Sequence, residues 1–64
     1  MILEFKTKRN INGHRNYIII YTDTKEFCLE SSTMIIYGIE IKVSDYRDII
    51  KTLKDNGYTQ IHLH

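Results

Sequence analysis

The 64-residue chain predicts an α+β domain: an antiparallel four-stranded β-meander, then one amphipathic helix packed on one sheet face, then a short C-terminal strand. Three observations carry that prediction. The first half alternates apolar and polar residues with a period of two, as half-buried strands do. Residues Tyr46, Ile49, Ile50 and Leu53 recur at i, i+3, i+4 and i+7, which is the stripe of a helix with one buried side. Asn12-Gly13 and Asp23-Thr24-Lys25-Glu26 supply turn chemistry between the alternating runs.

The Asn12-Gly13 pair predicts a two-residue hairpin turn of type I′, because both central positions of that turn require positive φ. With Ile11 opposite His14, Leu3 faces Thr22, Phe5 faces Ile20 and Thr7 faces Ile18. One face then gathers Leu3, Phe5, Ile18 and Ile20. The other gathers Lys6, Lys8, Arg15, Tyr17, Ile19 and Tyr21. A four-residue turn over Asp23–Glu26 sets Ile20 opposite Leu29, which adds Phe27 and Leu29 to the first face and Cys28 and Glu30 to the second.

Ser31 to Thr33 connect to an expected fourth strand, Met34 to Val43, with a bend or bulge at Gly38 and with Ile39, Ile41 and Val43 directed to the core. Ser44 is expected to cap a helix ending near Gly57. Asp45 and Asp48 suit its positive end, Lys51 and Lys54 its negative end, and Gly57 the left-handed residue just past it. Tyr58 to Leu63 form the expected last strand, with Ile61 and Leu63 inward.

At this length one domain is expected, with no linker, repeat or low-complexity segment to divide it. A domain of this size buries only about 60% of the surface its unfolded chain exposes, so its core is thin. The lone cysteine, Cys28, makes no disulfide within the chain, which fits a reducing cytoplasm. No apolar run approaches the roughly 20 residues of a membrane span and no leader pattern precedes the domain, so a soluble, cytoplasmic protein is expected. Ile supplies 12 residues, and Ile, Lys, Asn, Tyr and Phe together supply 29, with Pro and Trp absent. That bias suggests an AT-rich genome, such as a low-GC bacterium or its phage.

The net charge of +1 divides into +3 over residues 1–21, −3 over residues 22–41 and +1 over the remainder. Such a dipolar chain steers partners without specifying a chemistry. Because a single helix covers a single sheet face, the row Tyr17, Ile19 and Tyr21 with Cys28 is expected to meet a partner, either a second copy or a larger protein. The competing reading is a tyrosine face that is simply wet.

Lys6, Lys8, Arg9 and Arg15 interleave with these tyrosines, and such a pattern serves nucleic-acid binding in an alternative reading. Strand-guarding lysines give the same pattern for a structural reason. His62 and His64 share a strand face and His14 offers a third imidazole, yet no acidic or thiolate ligand accompanies them, so no metal or cofactor is expected. Asp45 and Asp48 read as dipole-favouring surface charges. Cys28 has no base placed beside it by the sequence, and no phosphate-cradling loop or nucleophile elbow occurs, so the chain is not expected to be an enzyme. The sequence thus points to a small non-catalytic interaction protein.

Overall fold

The computed structural model describes residues 1–33 and 37–62, and its elements run in the order β1 (Ile2–Lys6), β2 (Arg15–Tyr21), β3 (Glu26–Ser32), β4 (Ile39–Glu40), α1 (Val43–Asp55) and β5 (Thr59–Gln60). They form one α+β fold, a five-stranded sheet with the spatial order β4-β1-β2-β3-β5 and one helix. The three central strands pair antiparallel as expected. Both edge strands pair parallel, β4 with β1 and β5 with β3, so the sheet is mixed rather than a purely antiparallel meander.

The first hairpin is not the two-residue turn that Asn12-Gly13 suggests. The Asn10 side chain accepts hydrogen bonds from the backbone N–H groups of Asn12 (2.9 Å) and His14 (3.0 Å). The Asn10 N–H donates to the His14 carbonyl at 2.8 Å, and the Gly13 N–H to the Asn10 carbonyl at 2.9 Å. Only Gly13, at φ +78°, takes the left-handed conformation, whereas a type I′ turn needs Asn12 there too. The asparagine side chain has taken over part of the turn's hydrogen bonding, and the loop is longer in consequence.

Leu3 therefore pairs with Ile20 and Phe5 with Ile18, two residues away from the expected register. The second hairpin differs by the same two residues, with Tyr21 opposite Glu26 and Ile20 opposite Phe27. A slip of two leaves every side chain on its expected face. Ile18, Ile20 and Phe27 accordingly form a buried cluster with Leu53, against which Leu3, Phe5, Leu29, Tyr46, Ile49, Ile50 and Tyr58 pack.

The region after β3 departs further from expectation. Residues 34–36, at the start of the expected fourth strand, lie outside the described residues. The strand beyond them, β4, has only two residues and sits on the far edge of the sheet, extended by the Ile41 N–H, which donates to the Lys6 carbonyl at 2.8 Å. Ile39 is 64% exposed and Val43 54% exposed, so neither joins the core. β4 is an edge strand, with a neighbour on one side only. Gly38 has a sharper role than a bend: a Cβ there would stand 3.1 Å from the Glu4 carbonyl oxygen, so the missing side chain lets the chain approach β1.

The helix begins two residues earlier than a Ser44 cap predicts, since Lys42 is the N-cap. Lys42 is extended at ψ 157° and makes no side-chain capping bond, and Ser44 lies inside the first turn. The pairing of Ile41 with Lys6 ends there, so the chain enters the helix directly from β4. The other end of the helix matches the sequence closely. Gly57 adopts φ +81°, its N–H donates to Lys54 at 3.1 Å, and the Tyr58 N–H donates to Leu53 at 2.9 Å. This pair of bonds is the Schellman pattern, and its usual accompanying contact is present because Leu53 and Tyr58 share the core.

After that stop, β5 lies parallel to β3 with Gln60 in line with Phe27. Successive side chains alternate, so Ile61 falls on the face away from the helix, contrary to its expected inward position. Leu63, also expected inward, lies outside the described residues.

Two substitutions test this packing. Gly38→Ala brings a methyl group to 3.1 Å from the Glu4 carbonyl oxygen, so the backbone of β1 or β4 must give way, at a cost of about 1–3 kcal/mol, visible as a lower urea midpoint. Leu53→Ala removes the helix's only buried anchor at a cost of about 2–5 kcal/mol, comparable to the whole stability of so small a core. Its far-ultraviolet circular dichroism should show largely unfolded chain at room temperature.

Candidate functional site

The sheet face opposite α1 is built in rows by the strand registers. Glu40, Lys6, Tyr17 and Glu30 form one row, Glu4, Ile19 and Cys28 the next, and Ile2, Tyr21, Glu26 and Thr59 the last. Arg15, beyond Tyr17 on β2, reaches Glu40 at 3.9 Å. At that separation and partial exposure the ion pair is weak.

The four residues expected to meet a partner divide between these rows. Tyr17 is 1% exposed and Cys28 fully buried, so the chain itself covers them. The expectation that the whole tyrosine row stands open therefore does not hold at Tyr17 and Cys28. Packing within the chain closes the upper part of the face, although no helix lies on it. Ile19 and Tyr21 are half-buried and keep some surface available.

Two residues not selected from the sequence join them. Ile2 is 58% exposed on β1, and Ile61 arrives from β5. Together with Tyr21, Asp23, Thr24 and Glu26 they line a groove of about 420 Å³. Ile2 could have been found from the period of two, since it precedes Glu4 and Lys6 on the second face. Ile61 could not, because its face depends on which strand β5 joins.

This end of the sheet carries Glu4, Asp23 and Glu26 against Lys25 and the Met1 amino group, a slight negative excess. Removal from water pushes the Tyr21 hydroxyl above its ordinary 10.0, and negative charge at Cys28, Glu4 and Glu26 adds to the effect. Burial raises the Cys28 thiol above its ordinary 9.0, with the Glu30 carboxylate adding and hydrogen bonds from the Ile19 backbone and the Tyr21 side chain partly opposing. A thiol held protonated is the reverse of an activated nucleophile.

The four basic residues of the alternative reading have separate surroundings. Arg9 uses one guanidinium nitrogen to donate to the Gly13 carbonyl at 2.9 Å and the Thr33 carbonyl at 3.0 Å, tying the first hairpin loop to the end of β3. Arg15 faces Glu40, Lys6 stands between Glu40 and Tyr17, and Lys8 is exposed in the loop. They are not brought into one uninterrupted basic stripe.

His14 is exposed in the first hairpin and His62 is exposed after β5, while His64 lies outside the described residues. Among the described residues, no three His, Cys, Asp or Glu side chains gather in a metal-binding arrangement. Among them, too, no helix is long and apolar enough to cross a membrane. A second concavity, beside the helix N-terminus, is lined by Lys8, Glu40, Ile41, Lys42, Val43 and Asp45, and its charges are of both signs.

Comparisons with protein-family models, with curated proteins and with solved structures found no match to this chain.

The protonated state of the second face has two measurable consequences. Cys28 should resist alkylation in the native protein, with a rate that tracks the unfolded fraction as urea is added. Cys28, Tyr21 and Tyr46 all have folded-state pKa values above their ordinary ones, Tyr46 through burial. Each therefore favours the fold while protonated. That contribution is complete below the unfolded values of 9.0 for the thiol and 10.0 for the phenols, and is lost as pH rises through the folded values. The urea midpoint should fall as pH is raised above 9.0, and Cys28→Ala should remove the first part of that fall.

Proposed function

We propose that the protein is a non-catalytic interaction module that binds a protein partner, either a second copy of itself or a larger protein, through the open end of the sheet face opposite α1. The single observation that supports this most is the groove formed by Ile2, Tyr21 and Ile61. It gathers apolar side chains of β1, β2 and the residue after β5 around one concavity, on a face the helix does not cover. Apolar side chains gathered and rimmed by polar ones on a small domain are characteristic of an interface. Ile19 extends the surface toward the buried Tyr17 and Cys28, which support it from within rather than touch the partner.

One further observation favours binding over catalysis: the Cys28 thiol is buried and held protonated, the reverse of an activated nucleophile. A cytoplasmic accessory protein, of bacterial or phage origin as the composition suggests, suits this role. The nucleic-acid alternative gains no comparable support, since Arg9 and Arg15 are engaged by carbonyls and a carboxylate of the chain itself.

A photo-crosslinking residue placed at Ile2, compared with one at Lys51 on the exposed side of α1, tests this reading alongside light scattering over a concentration series. The expected outcome is an adduct from position 2, to a second copy or to another protein, that position 51 does not give. A strict monomer that yields no adduct from position 2 overturns it.

A further inference from the structure

We infer that the occupant of the groove at Ile2, Tyr21 and Ile61 is a partner protein's segment that presents an arginine or lysine next to an apolar residue, rather than a second copy of this chain. The inference rests on the interface reading and goes further by stating the chemistry of the partner.

The walls of the groove set that chemistry. Its floor is the two isoleucines and the tyrosine ring, its ionisable walls are Asp23 and Glu26, and none of the described residues lining it is a lysine or arginine. Glu4 stands in the neighbouring row of the same face and is close enough to act on the Tyr21 hydroxyl. The amino group of Met1 meets Asp23 at 3.1 Å, and the exposed Lys25 of the same turn does not line the groove, so Glu26 in the wall and Glu4 beside it give the site a negative excess.

An apolar occupant alone would bury against Ile2 and Ile61 while desolvating Glu26 without compensation, which is costly. A carboxylate-bearing occupant would add repulsion. A long cationic side chain satisfies both parts of the site at once. Its methylene stem lies on the isoleucines and its charged head reaches the carboxylates. An arginine head can also lie against the tyrosine ring, where the negative face of the π system attracts it.

A second copy does not bring this chemistry to the groove by a two-fold contact. Such a contact places the same patch on both sides, and Glu4 and Glu26 would face their own counterparts or the mixed row of Glu40, Lys6 and Glu30. Like charges across an interface oppose association.

Titration of the isotopically labelled full chain with short capped peptides tests the inference by amide chemical shifts. The peptides alternate leucine with arginine, with serine or with glutamate. The expected result is saturable shifts at Tyr21, Glu26 and Ile61 with the arginine peptide only. These should disappear at about 1 M salt, where the screening length is about 3 Å. The double variant Glu4→Gln/Glu26→Gln should bind about tenfold more weakly, a change typical of losing charge partners, while Glu30→Gln on the upper row should bind normally. The native spectrum of each variant reports that it is folded.

Equal shifts with the serine peptide would overturn the cationic occupant while leaving an apolar interface in place. Concentration-dependent dimerisation through position 2 that survives high salt would do the same. No shift at the groove with any peptide at millimolar concentration would overturn it outright.

Discussion

The burial of Ile18, Ile20 and Phe27 beneath Leu53 is the constraint on which the other features rest. Two strands supply the base of that cluster and one helix supplies its lid. In the chain, α1 follows β4 at one edge of the sheet and precedes β5 at the other. A strand, a helix and a strand joined in one sheet leave the two strands parallel. Each edge strand pairs parallel with its neighbour, and these two pairings give the sheet its mixed character.

The period of two in the first half, and the 3.6-residue stripe in the helix, were legible because they record burial one residue at a time. Leu3, Phe5, Ile18, Ile20, Phe27 and Leu29 all lie on the face they were expected to share, even though both hairpins differ by two residues in register. Pairing partners were less legible. Asn12-Gly13 is a strong local signal, and Asn10 outweighs it with a side chain whose two acceptor bonds reorganise the loop. Ser44 has the chemistry of a cap, yet the bond from Ile41 to Lys6 places the helix start ahead of it. In the first case a neighbouring side chain, and in the second a contact distant in sequence, prevails over a correct local preference.

The same distinction separates the parts of the interaction surface. Tyr17, Ile19, Tyr21 and Cys28 were recognisable as one face from alternation alone. How much of that face stays open depends on packing across four strands, which alternation does not encode. Tyr17 and Cys28 turn out to be a second, smaller interior, and the accessible part moves toward the β2–β3 turn. Ile61 belongs to it only because Gln60 aligns with Phe27. The molecule therefore buries side chains on both faces of β2, but completes only one face.

The attachment of the edge strands has a consequence for the order in which the fold assembles. Residues 1–33 form three strands joined by short turns, so their contacts close small loops at little entropic cost. Residues 37–62 begin on one edge of that unit and end on the other, held there by pairings of two residues each. Neither edge pairing has a partner to join until the meander exists. Leu53 and the Tyr58 stop then act as a latch in the middle of a strap whose two ends are light. On this topology the amide protons of β4 and β5 should be the least protected of the sheet, and those of β2, with strands on either side, the most protected. The groove lies across that gradient: Ile2 and Tyr21 stand on the early unit, while Ile61 is brought by the strap. Its third wall is thus in place only when the strap is closed.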